Sequence, residues 1–191
     1  MLSFALIALG ANQPDREDAR AARLRDAADR IVRELSDGGP ARRSGLYRTP
    51  AYPVGIGSDF VNACLAVPCR RDPEAVLERL HEIEADAGRK RDVRWGERPL
   101  DLDLLALGDA VLPHVTVQTR WRELSLPRQR ETVPDRLILP HPRLQDRAFV
   151  LVPLSEVAPD WVHPVLGLGV ARMLSDLGPD ARSGIERIGT L

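Results

Sequence analysis

The chain has 191 residues, enough for one domain with a sizeable core and short for two. Hydrophobic residues make up 43% and charged residues 29%, which excludes a disordered chain. With 27 basic and 28 acidic residues the net charge is -1, so bulk charge gives no argument for a nucleic-acid partner.

The opening MLSFALIALGANQ reads as a buried strand over 2–9 that ends in the turn Gly10-Ala11-Asn12. It lacks a basic leader, so it is not read as a signal peptide. No stretch reaches the roughly 18 apolar residues of a membrane span. Asp15 is expected to cap the next helix, with Asp18 as a weak partner. Leu24, Ala28, Ile31 and Leu35 recur at helical spacing until Gly38-Gly39-Pro40.

SGLYRT, residues 44–49, predicts a second strand, and the Pro- and Gly-rich PAYPVGIGSD a loop. FVNACLAV, 60–67, is a third strand; its alternation puts Phe60, Asn62, Cys64 and Ala66 on one face. Asn62 is then a polar group among apolar ones and needs a partner, from backbone or ligand. Cys64 and Cys69 are the only cysteines and read as buried free thiols. A cytoplasmic location is the simplest reading.

Asp72 and Pro73 open the second helix, with Val76, Leu77, Leu80, Ile83 and Ala87 as its apolar stripe and Gly88 as its stop. His81 and Glu84 lie beside that stripe. The basic loop GRKRDVRWGERP leads to a fourth strand, LDLDLLAL, 100–107. VTVQTRW could be a strand, and the segment after it is loop-like. AFVLVPLSEVAP reads as a helix despite Pro153, and VARMLSDLG as a last helix. The tail 179–191 is expected to be loosely ordered. The order β-α-β-β-α-β predicts an α+β fold, a ferredoxin-like α-β plait whose antiparallel sheet carries helices on one face.

Asp101 and Asp103 stand two apart on the fourth strand, so both point the same way, roughly 6–7 Å apart at the backbone. Such carboxylates can converge on a metal ion, or on two ions about 3.5–4 Å apart. An oxygen-only donor set favours Mg²⁺ over zinc. The plain alternative is charge on an edge strand that deters aggregation. Arg89, Lys90, Arg91, Arg94 and Arg98 precede the pair, and arginines beside a hard-cation site suit a polyphosphate. His141, between two prolines in LPHPR, suits a positioned polar contact, but spacing alone does not rank it above His114 or His163. Phe60 and Asn62 together suit a planar heterocycle, although on these residues alone ordinary core packing with one satisfied Asn is the stronger reading.

The segments ALGANQ, SGLYRTP, DFVNA, RWGERPLDLDLL and LPHPRLQDRAF together resemble the 6-hydroxymethyl-7,8-dihydropterin pyrophosphokinase family of folate biosynthesis. The resemblance runs from about residue 4 to 166, with one interruption. It implies transfer of a pyrophosphoryl group from ATP to the pterin hydroxymethyl group, with release of AMP. It implies two Mg²⁺ ions on Asp101 and Asp103, a phosphate-binding Arg98, and a mobile loop in which Arg89 and Arg91 close over ATP with Trp95 packed on it. It places Glu84, Arg136, His141 and Arg147 on the nucleotide side. For the pterin it implies Asn62 at the ring edge, Phe60 and Phe149 on its two sides, and Thr49 and Pro50 lining the pocket.

The sequence departs from the family pattern at His81, where relatives often carry Gln, and in a loop between Gly88 and Trp95 that is short by about one residue. Residues 115–133 look inserted, as an extra flap or hairpin. One pyrophosphokinase domain, 1–178, is expected, with no second folate-pathway domain, acting as a monomer on small molecules without nucleic acid or membrane. The alternatives are another Mg-dependent phosphotransferase on a similar plait, and an RNA-binding module, for which the exposed sheet aromatics are absent.

Overall fold

The computed structural model describes residues 3–13, 16–50, 58–89 and 98–191. Among the described residues six strands form one sheet in the order β5-β1-β4-β3-β6, with β2 also on β4. They are β1 (Ser3–Ala11), β2 (Arg42–Arg43), β3 (Gly45–Thr49), β4 (Phe60–Cys69), β5 (Asp101–Leu107) and β6 (Glu186–Thr190). Every pairing is antiparallel. β2 and β3 act as one interrupted strand beside β4. At the break, Ser44 N donates to Cys64 O at 3.1 Å and Ser44 Oγ accepts from Cys64 N at 2.9 Å. The first six units are therefore β-α-β-β-α-β, and the plait expected from the sequence is present.

Helices α1 (Glu17–Leu35) and α2 (Pro73–Asp86) cover one face. Leu24, Ala28, Ile31, Leu35, Val76, Leu80 and Ile83 meet Ile7, Leu9, Val61, Leu65, Leu102 and Leu104 there in one cluster. Each fully buried leucine or isoleucine contributes about 1.5–3 kcal/mol of transfer free energy. Arg16, not Asp15, holds the N-cap of α1, whereas Asp72 is the N-cap of α2 as expected, with Pro73 after it, though without a side-chain hydrogen bond. Asp15 lies outside the described residues.

The opposite face is covered as well, which corrects the one-faced sheet expected from the sequence. Helices α5 (Ala148–Val157) and α6 (Val170–Asp176) pack Val150, Leu151, Leu154, Val157, Met173 and Leu174 onto Leu6, Cys64, Ala66, Leu105 and Ala106. A β-bulge helps build this face. Leu6 pairs with Ala106 and Ile7 with Leu104, so Leu105 is the extra residue and both Leu105 and Ala106 turn to α5. Both cysteines are free and buried, as expected.

Two further expectations are corrected. Residues 115–133 are neither strand nor hairpin: α3 (Val115–Arg122) and α4 (Leu126–Glu131) occupy them. Val and Thr favour strands, yet the segment is helical, and the fully buried Gln118 anchors α3 by donating from Nε2 to Pro140 O at 3.1 Å. The tail is not loose either. Residues 186–190 form β6, paired with β3. Among the described residues no helix is long and apolar enough to cross a membrane.

Candidate active site

The second sheet face is covered by α5 only along part of its length. Beyond the start of α5, the strands place polar residues in two cross-strand rows. In one row Tyr47 pairs with Asn62, Asn62 with Gly10, and Gly10 with Asp101. In the next, Cys64 pairs with Ala8 and Ala8 with Asp103. Directly opposed residues share a face, so Asn62, Asp101 and Asp103 all point to the same side. Two strand spacings, roughly 9–10 Å, separate Asn62 from Asp101. Gly10 stands between them, and Ala8 stands between Cys64 and Asp103 in the next row.

Gly10 is the close-packed point of this floor. A Cβ there would stand 3.0 Å from Asn62 Oδ1 and 4.0 Å from both Asp101 Cβ and Phe60 Cδ1. Asn62 is buried and donates from Nδ2 to Thr49 Oγ1 at 2.7 Å. That meets the need for a partner seen in the sequence and fixes the amide's orientation. Phe60 opens β4 and pairs with Thr49. Phe149, 39% exposed, stands in the first turn of α5 under the Arg147 guanidinium, 5.7 Å from its ring centroid.

The carboxylates sit among arginines. Arg98 Nη1 donates to Asp101 Oδ2 at 2.6 Å, and Arg89 Nη1 bridges Asp101 Oδ1 and Glu84 Oε1. Arg147 Nη1 reaches Asp103 Oδ2 at 3.4 Å. Burial works to raise the Asp103 carboxyl, but His141, Arg147, Arg98 and Arg89 hold it below the ordinary range. The Arg89 guanidinium, disfavoured by burial, is held above its ordinary value by Asp101 and Glu84.

Glu84 is buried in α2, and its Oε1 also accepts from Leu102 N at 2.7 Å. It therefore locks Arg89 and the start of β5 together. His141 is tied to the sheet by its own N–H, which donates to Leu105 O at 2.8 Å. Its Nδ1 accepts from Arg143 N at 3.1 Å, so Nε2 carries the proton. Burial and Arg147 push its pKa down to about 4 against the pull of Asp103. The ring is neutral at pH 7 and available as a donor.

The structure thus brings Thr49, Asn62, Glu84, Arg89, Arg98, Asp101, Asp103, His141, Arg147 and Phe149 to the polar end of this face and the elements bordering it. Arg136 is not joined to them. It is exposed and forks onto its neighbour Asp135 at 3.1 and 3.0 Å. Arg91 and Trp95 lie outside the described residues. Sequence reasoning missed the roles of Gly10 and Asn12. Asn12 Oδ1 accepts from Arg98 N at 2.8 Å and Asn12 N donates to Arg98 O at 3.1 Å, which clamps the backbone of that arginine. The run Gly10-Ala11-Asn12 was expected as a turn after residue 9, but Gly10 and Ala11 continue β1, and nothing local marked Arg98 as the partner of Asn12.

Among the described residues no three His, Cys, Asp or Glu side chains gather into a metal cage. Two same-faced carboxylates suit a hard cation that keeps water and phosphate oxygens in the rest of its shell. The donor set therefore fits Mg²⁺.

The model of the 7,8-dihydro-6-hydroxymethylpterin-pyrophosphokinase (HPPK) family matches residues 6–159. A 2-amino-4-hydroxy-6-hydroxymethyldihydropteridine pyrophosphokinase of Methylorubrum extorquens is 38% identical over 146 residues, covering 76% of this chain and 77% of the relative. One of Mycobacterium bovis is 33% identical over 184 residues, covering 95% and 87%. A solved Plasmodium falciparum HPPK-DHPS shares the fold with a TM-score of 0.68 at 16% identity, covering 98% of this chain. The present chain spans 45% of that longer protein. With the family model matching most of its length and relatives above 30% identity, this chain belongs to the HPPK family.

Proposed function

We propose that the chain transfers a pyrophosphoryl group from ATP to the hydroxymethyl group of 6-hydroxymethyl-7,8-dihydropterin, with Mg²⁺ bound by Asp101 and Asp103. The observation that supports this reading is the row Asn62–Gly10–Asp101: an amide suited to a heterocycle edge and a carboxylate suited to a hard cation face the same way with only a glycine between them. The pterin ring lies on that floor, its edge on Asn62 and its sides against Phe60 and Phe149, with Thr49 and Pro50 as a wall. The hydroxymethyl group then points toward Asp101.

Arg98, Arg89, Arg91, Arg147 and His141 take the ATP phosphates. Arg89 and Arg98 are paired with Asp101 in the free chain and exchange onto phosphate oxygens when the nucleotide arrives. Bound Mg²⁺ would neutralise phosphate charge and favour loss of the hydroxyl proton. The hydroxymethyl oxygen bonds to the β-phosphorus, and the bond from that phosphorus to the oxygen bridging it to the α-phosphate breaks. AMP leaves with the bridging oxygen, and the hydroxyl proton passes to water. His141 is not the base, because its free nitrogen already carries a proton and it supplies a hydrogen bond instead. Catalysis on this reading is positioning and charge stabilisation, and no side-chain nucleophile is used.

The test is product analysis with ATP, Mg²⁺ and the hydroxymethyl dihydropterin. AMP and a pyrophosphorylated pterin in equal amounts are expected. ADP, or no pterin-dependent turnover, would reject the reading in favour of a different phosphotransferase.

A further inference from the structure

The family model ends at residue 159, and the chain continues through α6 to β6. Without β6, β3 would be an open sheet edge on its far side. The tail is fixed there from several directions. Arg25 Nε donates to Thr190 O at 3.0 Å, Leu191 N donates to Ser44 O at 3.3 Å, and Arg48 pairs with Glu186. Arg187 lies across Gly45, where a Cβ would stand 2.5 Å from its Nε. Glu156 of α5 accepts from Gly45 N at 2.6 Å and from the Tyr47 hydroxyl. Ile185 packs on the α5–α6 cluster, whereas Ile188 and Leu191 pack on the α1–α2 cluster. The tail is thus anchored to the apolar clusters of both sheet faces.

Just before β6, Gly184 adopts φ +75° and meets Pro50. A Cβ on Gly184 would stand 2.8 Å from Pro50 Cγ and 3.2 Å from Cδ. Pro50 follows Thr49, whose hydroxyl holds the Asn62 amide. One contact series therefore runs from the tail through Pro50 and Thr49 to Asn62. Arg89 and Arg98 are instead held by Glu84, Asp101 and Asn12, Glu84 by Leu102, and His141 by Leu105, none of which belongs to this series.

We propose that the tail turn at Gly184 is a positioning element for the heterocycle pocket, holding the Pro50 wall in place and so setting affinity for the pterin but not for ATP. The proposal rests on the function proposed above. Gly184 is a positioning residue, not a catalytic one.

The experiment compares Gly184→Ala with Gly178→Ala in the full chain, measuring KM for each substrate and the thermal midpoint. Gly178 has φ +82° and nothing within 4 Å of a Cβ, so its alanine variant shares the backbone strain without the Pro50 contact. Gly184→Ala is expected to raise KM for the dihydropterin roughly tenfold, as when one pocket wall is overpacked. KM for ATP should stay within about twofold of wild type, and Gly178→Ala should leave both constants near wild type. Unchanged pterin KM in Gly184→Ala, a parallel rise in KM for ATP, or an equal effect of Gly178→Ala would overturn the proposal. A wild-type chain that binds no pterin would instead remove the function on which it rests.

Discussion

The two ends of one sheet face make opposite use of the same strands. At one end Leu6, Cys64, Ala66, Leu105 and Ala106 are dry and covered by α5 and α6. At the other, the same alternation along β1, β4 and β5 presents Gly10, Asn62, Asp101 and Asp103. The boundary is the start of α5, where Arg147 and Ala148 replace solvent with helix. Period-two patterning assigns a residue to a face, but the covering helix decides whether that position is core or site. Carboxylates are tolerable at the second end because arginines on three sides supply partners that leucines could not.

Breaking the polar end should abolish chemistry and spare the fold. Asp101→Ala or Asp103→Ala is expected to lower turnover by a factor on the order of 10³, the upper range for removing a preorganised charged group. Circular dichroism and the thermal midpoint should show a folded protein. Near-normal turnover in both variants would refute their role.

Breaking the dry end should do the reverse. Leu105→Ala removes a fully buried side chain at the bulge and should cost about 2–5 kcal/mol in denaturant unfolding. KM for either substrate should change little, measured well below the unfolding transition. A large KM change with unaltered stability would show that the two ends are not separate.

A smaller effect tests the buried turn around His163 by pH. His163 is fully buried, and its Nδ1 accepts from Val165 N and Leu166 N at 3.2 Å each. Burial, and then the nearby Arg122 charge, push its pKa down to about 4 from the ordinary 6.5. The unfolded chain therefore takes up this proton first as pH falls. Stability from His163 is present above about pH 6.5 and is lost as pH falls toward 4, by up to about 3 kcal/mol. His141 adds a loss of the same sign over the same window. Unfolding free energies measured from pH 7.5 to 4.5 should fall, and His163→Gln should flatten part of that fall. An unchanged pH slope in the variant would contradict this account.

The same contrast explains what could be read from the sequence. The α1 and α2 stripes and the Asp101–Asp103 alternation were legible because each is a local period. The second helical layer was harder to orient: AFVLVPLSEV is apolar on most sides and shows no single stripe. The tail strand ERIGT is short and half polar, and its partner β3 lies far away along the chain. VTVQTRW reads as a strand by propensity, and the buried Gln118 contact that anchors the helix formed there joins residues far apart in sequence. Glu84 was visible beside a helix stripe, but its bond to Leu102 N was not, because nothing local marks a carboxylate that caps a neighbouring strand. Asn62 was legible as a polar group needing a partner, and Thr49 supplies it.

The most direct measurement is a crystal structure with Mg²⁺, a non-hydrolysable ATP analogue and the hydroxymethyl dihydropterin. The account predicts the pterin ring over Gly10 with its edge on Asn62, and cations held by Asp101 and Asp103 between the ring and the phosphates. A pterin seated instead in the cavity of about 380 Å³ at the other end of the face, between Phe4, Arg42 and Trp161, or cations away from both aspartates, would contradict it.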